Sequence, residues 1–189
     1  FTNTDERVYG AGSPAIADID NDGIVEIVAL DVESTDNARL RFKGFENDGT
    51  LKWSSSVFDV DASRQGSAAI TIADINGDSN LEIICGHVVY DHNGNHLWTG
   101  QGADGKKVSI VGDLNADNIY ELICGNTVYS GDGEIIWQNL LGGSKREYAN
   151  IIHQTNDEGF IIGGLTSSND IDVSGNNGNY DIWVVKLNG

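Results

Sequence analysis

The chain has 189 residues, enough for one large domain or a row of small repeats, and long enough to bury a core. It carries 29 acidic against 11 basic residues, a formal charge of −18, which argues against nucleic acid or an anionic membrane surface as a partner. No apolar run approaches the roughly 18–20 residues that span a bilayer, and no basic, apolar leader opens the chain, so any secretion signal is expected to be absent or already removed.

Gly is abundant (24 residues), Pro occurs once, at Pro14, and Met is absent. Strings rich in Val, Ile, Trp and Tyr alternate with Asn, Asp and Gly clusters, the pattern of many short strands and tight turns. In chain order the first acidic ladder is DIDNDGIVEI from Asp18, followed by a strand EIVAL from Glu26, a second strand RFKGF from Arg41, a turn ending at Gly49 and LKW ending at Trp53. A second ladder, DINGDSNLEI from Asp74, precedes EIICG from Glu82, HVVYD from His87, a turn ending at Gly94 and HLW ending at Trp98. A third, DLNADNIYEL from Asp113, precedes ELICG from Glu121, NTVYS from Asn126, a turn ending at Gly133 and IIW ending at Trp137.

A fourth unit lacks the ladder. It reads HQTNDEGFIIGG from His153, a polar insert SSNDIDVSGNNGNY, and DIWVVKLNG to the end. Its FIIGG aligns with EIICG and its VVKLNG with VVYDHNG. Turn glycines Gly49, Gly94, Gly133 and Gly189 recur at roughly 40–55 residues, the period of a small antiparallel blade. The expected fold is therefore all-β: β-propeller-type repeats, about four blades of short antiparallel strands, as a single repeat domain over 1–189 with units at about 9–55, 66–100, 105–139 and 146–189. The fourth unit stops at the turn where the others continue into a Trp-ended strand. Its missing strand is expected from a neighbouring copy or a continuation of the chain, with Phe1 to Val8 as the alternative source.

Each ladder presents oxygen-bearing side chains at positions 1, 3 and 5 and a Glu at position 9. Hard divalent cations, calcium above all, take six to eight oxygen ligands at about 2.3–2.6 Å, and a tight loop showing alternate residues on one side supplies several. Three or four carboxylates in so short a loop repel one another unless a cation lies between them. The alternative is a set of Asx-turn caps with no ion.

The stretch SPAIADIDNDGIVEIVAL … NDGTLKW resembles the FG-GAP/VCBS repeats of integrin-like calcium-binding β-propellers, and the blades of rhamnogalacturonan lyases. The final DEGFIIGGLTSSNDIDVSGNNGNYDIWVVKLNG resembles repeats of large secreted surface proteins of Bacteroidetes-type bacteria. By the FG-GAP pattern, ligands come from positions 1, 3, 5 and 9 and the backbone carbonyl of position 7. The resemblance thus implies up to three Ca2+ sites: Asp18, Asp20, Asp22, Ile24 and Glu26; Asp74, Asn76, Asp78, Asn80 and Glu82; Asp113, Asn115, Asp117, Ile119 and Glu121. The first, with four carboxylates and Gly23 at the sharp turn of position 6, ranks strongest; Ser79 and Asn118 hold that place in the others.

Cys85 and Cys124 each fall three residues after a ladder Glu, where the other units have Ala29 and Gly163. Such a position wants a small buried residue, and equivalent positions in neighbouring blades exceed the ~7 Å Cα limit for a bridge, so two free thiols are expected. His92 and His96 flank a turn and read as surface histidines. Trp53, Trp98 and Trp137 read as packing between blades, while Trp183 breaks that register and fits either packing or a sugar platform. No nucleophile elbow, phosphate-cradling loop, zinc motif or glycosidase pair stands out. The reading is an extracellular or cell-surface, calcium-stabilised module for binding, adhesion or surface structure. Its partner is expected to be a protein or polysaccharide at the cell surface, with self-association through the open last blade and without nucleic acid or membrane insertion. A fragment of a polysaccharide lyase propeller and a subunit of a filament or sheath are the alternatives.

Overall fold

The computed structural model describes residues 8, 12–32, 39–59, 68–102, 108–139, 141–157 and 159–187. These residues form strands and turns only, and none of them belongs to a helix long and apolar enough to cross a membrane. The chain divides into two compact units, Phe1–Asn139 and Leu140–Gly189.

The first unit holds three antiparallel sheets. Strands β1 (Ala15–Ala17), β2 (Glu26–Val32), β3 (Arg39–Phe45) and β4 (Leu51–Ser54) lie in that order, and β5 (Phe58–Asp59) adds to β3. The second sheet is β6 (Ile70–Ala73), β7 (Glu82–Cys85), β8 (Val88–Tyr90) and β9 (His96–Thr99). The third is β10 (Ile110–Gly112), β11 (Glu121–Cys124), β12 (Thr127–Tyr129) and β13 (Ile135–Gln138). In each, the ladder loop joins the first strand to the second, and the Glu at position 9 opens the second strand. The strand ahead of each ladder was not singled out in the sequence, because AIA, ITIA and IVG are too short to show a period.

Alternation of side chains along a strand explains how these sheets stack. In the second sheet, Ile83, Cys85, Val88 and Tyr90 enter a core shared with Ile19, Val28, Leu30, Leu40, Phe42 and Phe58 of the first. Ile84 and Val89, on the opposite face, join Leu122, Cys124 and Tyr129 of the third. Both cysteines are buried thiols outside any disulfide. They belong to different cores, which is why no bridge forms.

The turn glycines have positive φ: Gly49 83°, Gly94 78° and Gly133 87°. Their lack of a side chain does a second job. A Cβ on Gly94 would lie 2.7 Å from the Trp53 ring, and one on Gly133 2.7 Å from the Trp98 ring. The Trp that ends one sheet thus packs on the turn of the next, and the Trp98 indole N–H donates to the Gly131 carbonyl at 2.8 Å.

The second unit is a three-stranded sheet of β14 (Glu147–Gln154), β15 (Phe160–Thr166) and β16 (Asp181–Leu187). Its register pairs Ile161 with Lys186, Ile162 with Val185 and Gly163 with Val184, as Ile83 pairs with Tyr90, Ile84 with Val89 and Cys85 with Val88. Ser168 and Val173 of the polar insert and Trp183 of β16 are buried. Of the segment Phe1 to Val8, expected as an alternative partner beside Val184 and Val185, all but Val8 lies outside the described residues, as does Gly189.

Candidate metal centre

All three ladders share one backbone form. Position 6 is left-handed in each: Gly23 at φ 90°, Ser79 at 71° and Asn118 at 69°. So is position 4, with Asn21 at 60°, Gly77 at 75° and Ala116 at 62°, a demand not read from the sequence. Two left-handed residues in a short loop fold the chain back and turn its alternate side chains inward.

In the first loop, the position-1 carboxylate of Asp18 accepts the backbone N–H groups of Asp22 at 3.0 Å and Gly23 at 2.9 Å. Asp22 accepts the N–H of Ile24 at 2.8 Å. These are the Asx turns that shape the loop. They gather Asp18, Asp20 and Asp22 so that one carboxylate oxygen from each lies within 4.8 Å of the others. In the second loop Asp74 accepts from Gly77 and Ser79, and Asp78 from Asn80. In the third Asp113 accepts from Asp117 and Asn118, and Asp117 from Ile119.

The Glu at position 9 is buried every time: Glu26 is 0%, Glu82 2% and Glu121 5% exposed. One oxygen of each takes the N–H of the residue at position 2, from Ile19 at 2.9 Å, Ile75 at 3.0 Å and Leu114 at 2.8 Å. Burial pushes Glu26 above the usual carboxylate range, and pushes Glu82 up to about 7 against the opposing Ile75 N–H. The other oxygen distinguishes the loops. In the third, Asn115 Nδ2 donates to Glu121 Oε1 at 3.2 Å. In the first, an Asp replaces that Asn, and Glu26 Oε1 is sealed from solvent with no partner.

Glu26 lies outside the group of oxygens within 4.8 Å of one another, but its fully buried carboxylate oxygen without a donor, closing a loop that clusters three carboxylates, is of the kind that suits a hard cation. Asp18, Asp20, Asp22 and Glu26 therefore fit calcium. The second and third loops carry the same backbone with an amide at position 3, whose N–H groups reach Asp78 Oδ2 at 3.3 Å and Asp117 Oδ2 at 3.0 Å.

One residue at the first loop was missed. Lys52, on β4, places Nζ 2.8 Å from Asp20 Oδ2 and 2.9 Å from Glu46 Oε1. Its ammonium holds Asp20 below the usual carboxylate range. Leu97 and Ile136 stand at that place in the other sheets, so the KW against LW and IW was the available signal.

Residues 18–85 match the model of the FG-GAP-like repeat. No curated protein matches the chain. Among solved structures it is similar to the V. cholerae biofilm matrix protein Bap1, with TM-score 0.56 and 25% identity over 82% of this chain and 24% of that one. It is also similar to the exotype rhamnogalacturonan lyase YesX, with TM-score 0.49 and 21% identity over 84% of this chain and 28% of that one. The chain spans about a quarter of the length of each. With the FG-GAP-like match over its first two ladders, the chain is an all-β protein of small antiparallel sheets in series.

Proposed function

We propose that the chain is a calcium-stabilised β-propeller-type module of an extracellular or cell-surface protein, serving binding, adhesion or surface structure. The observation that carries the calcium reading is the Asp18, Asp20 and Asp22 cluster, in a loop whose closing Glu26 keeps one buried oxygen without a hydrogen-bond partner. A cation held by Asp18, Asp20, Asp22, the Ile24 carbonyl and Glu26 removes both the orphaned acceptor and the mutual repulsion. The second and third loops are weaker sites of the same type. The extracellular reading is supported by the FG-GAP-like repeat and by the likeness to a biofilm matrix protein.

Ions that bind only the folded state stabilise it by about 2.7 kcal/mol per site at a hundredfold excess over Kd. Thermal melts in EDTA and in calcium test this. The expected result is a melting temperature several degrees lower in chelator, restored by calcium and not by magnesium, whose stricter octahedral demand suits this loop less well. Superimposable melts would refute the calcium reading.

A further inference from the structure

The two junctions inside the first unit are built from equivalent residues, and they end differently. At the junction of the second and third sheets, the Tyr129 hydroxyl donates to the Gln101 carbonyl at 2.6 Å. Gln138 then reaches across: its Nε2 donates to the Gly102 carbonyl at 2.7 Å and to Thr127 Oγ1 at 3.1 Å. At the junction of the first and second sheets, the Tyr90 hydroxyl meets the Ser56 carbonyl at 3.1 Å in the same way. The residue in place of Gln138 is Thr99, too short to cross. Its hydroxyl instead lies 2.9 Å from His96 Nε2 on its own strand. Without the strap, a cleft of about 590 Å3 stays open, lined among others by Ser56, Phe58, His87, Tyr90, His96 and Thr99. The two histidines replace Asn126 and Ile135 of the third sheet.

We infer that this cleft is a binding site for an uncharged, hydroxyl-rich ring, such as a pyranose residue of a saccharide. Its volume lies in the range of ligand pockets, and it joins a few convergent polar groups to apolar walls. Phe58 and Tyr90, 5.8 Å apart between ring centroids, and Val88 form its apolar floor, each more than nine-tenths buried in the first core. The Ser56 and Tyr90 hydroxyls lie 2.9 Å apart and the Thr99 hydroxyl 2.9 Å from the His96 imidazole; each group can donate or accept, so these mutual bonds can be extended or exchanged for bonds to sugar hydroxyls. Asp59 at the rim is paired with Arg39 at 3.5 Å, so the cleft offers little net charge to an ion. Burial lowers the His87 pKa, keeping that ring neutral near pH 7. The histidines do not make a metal centre: among the described residues, the group of His, Cys, Asp and Glu close enough for one ion is Asp18, Asp20 and Asp22. The inference stands apart from the calcium loops and uses none of their residues.

The test is imidazole-detected NMR of the calcium-loaded protein titrated separately with D-glucose, D-galactose, D-mannose, N-acetyl-D-glucosamine, D-glucuronate and zinc chloride. Thr99→Gln restores the strap that the neighbouring junction already carries, and His96→Ile installs the third sheet's own residue. The expected result is that at least one neutral sugar shifts the His87 and His96 signals, and that either variant weakens this binding about tenfold or more, read at both imidazoles in Thr99→Gln and at His87 in His96→Ile, while calcium binding and melting stay unchanged. Three outcomes overturn the proposal: no neutral sugar moves these signals, the shifts survive undiminished in both variants, or only glucuronate or zinc binds. A loss of calcium response with sugar binding intact would instead fall on the calcium reading alone.

Discussion

Glu26 receives the amide N–H of Ile19 on one carboxylate oxygen, at 2.9 Å, and leaves the other oxygen buried with no donor. The first oxygen ties the start of the ladder to the start of β2, and Ile19 itself is fully buried in the first core. The second oxygen is where the loop is incomplete. A buried acceptor without a partner costs roughly 1–3 kcal/mol, more if charged.

The isostere Glu26→Gln separates these two roles. Gln keeps an oxygen for the Ile19 N–H and removes the buried charge. In chelator the variant should melt at or above the wild-type temperature, because an unpaired buried charge has gone. In calcium it should melt several degrees below wild type, because a charged ligand has gone too. Paired melts in EDTA and in calcium read both signs, and a variant that melts lower in both conditions would assign Glu26 a packing role alone.

Lys52 puts a positive charge 2.8 Å from a candidate ligand oxygen of Asp20. An ammonium that close repels an arriving dication and competes for the same carboxylate. Lys52→Met keeps the apolar stem over β4 and removes the charge. Isothermal titration should show calcium affinity at the first loop rising several-fold. The gain should shrink as salt is added, since this pair is part-exposed and screened. Unchanged affinity would place the ion away from Asp20.

The three loops show where sequence reasoning reached and where it stopped. Ladder spacing located every loop, because alternate carboxylates and a following apolar strand are local properties. The small-residue position held by Ala29, Cys85 and Cys124 was legible for the same reason, as was the turn glycine ahead of each Trp. Lys52 was not, because it lies 32 residues from Asp20 along the chain and meets it only when β4 folds back over the loop. The left-handed position 4 was hidden by its occupants: Asn21 and Gly77 tolerate that conformation, but Ala116 gives no hint of it. The open cleft at Thr99 follows from comparing two packed junctions, and a linear alignment of Thr99 with Gln138 carries no information about what either side chain spans.

Ala116 is exposed at φ 62°, where an L side chain costs about 1–2 kcal/mol. Glycine there loses about 0.5–1 kcal/mol of chain entropy, so Ala116→Gly should stabilise by about 0.5–1 kcal/mol net. Gly77→Ala, at the same place in the second loop and with only the Ile119 side chain near a new Cβ at 3.7 Å, should destabilise by a similar amount. Urea unfolding of both variants checks the pair, and equal signs would mean that this backbone form is not held in solution.

Glu82 sets a pH dependence whose sign differs with and without calcium. Its carboxyl is pushed from 4.5 up to about 7 by burial, with Asp78 and Asp74 adding to the rise. The folded state thus holds a proton that the unfolded state has released across this window, and stability falls as pH rises. The contribution is fully present below about 4.5 and lost as pH passes about 7. It amounts to at most about 3.5 kcal/mol, since each pKa unit is worth about 1.4 kcal/mol. In EDTA the free energy of unfolding should therefore decline from pH 4.5 to 7, and Glu82→Gln, which cannot titrate, should lose that part of the slope. In calcium the trend should reverse. An ion needs the charged carboxylate, so binding releases the proton and calcium's stabilisation grows over the same pH range. Denaturant titrations of wild type and Glu82→Gln across this range, with and without calcium, provide the measurement; identical slopes in all four series would remove both Glu82 as the titrating group and the second loop as an ion site.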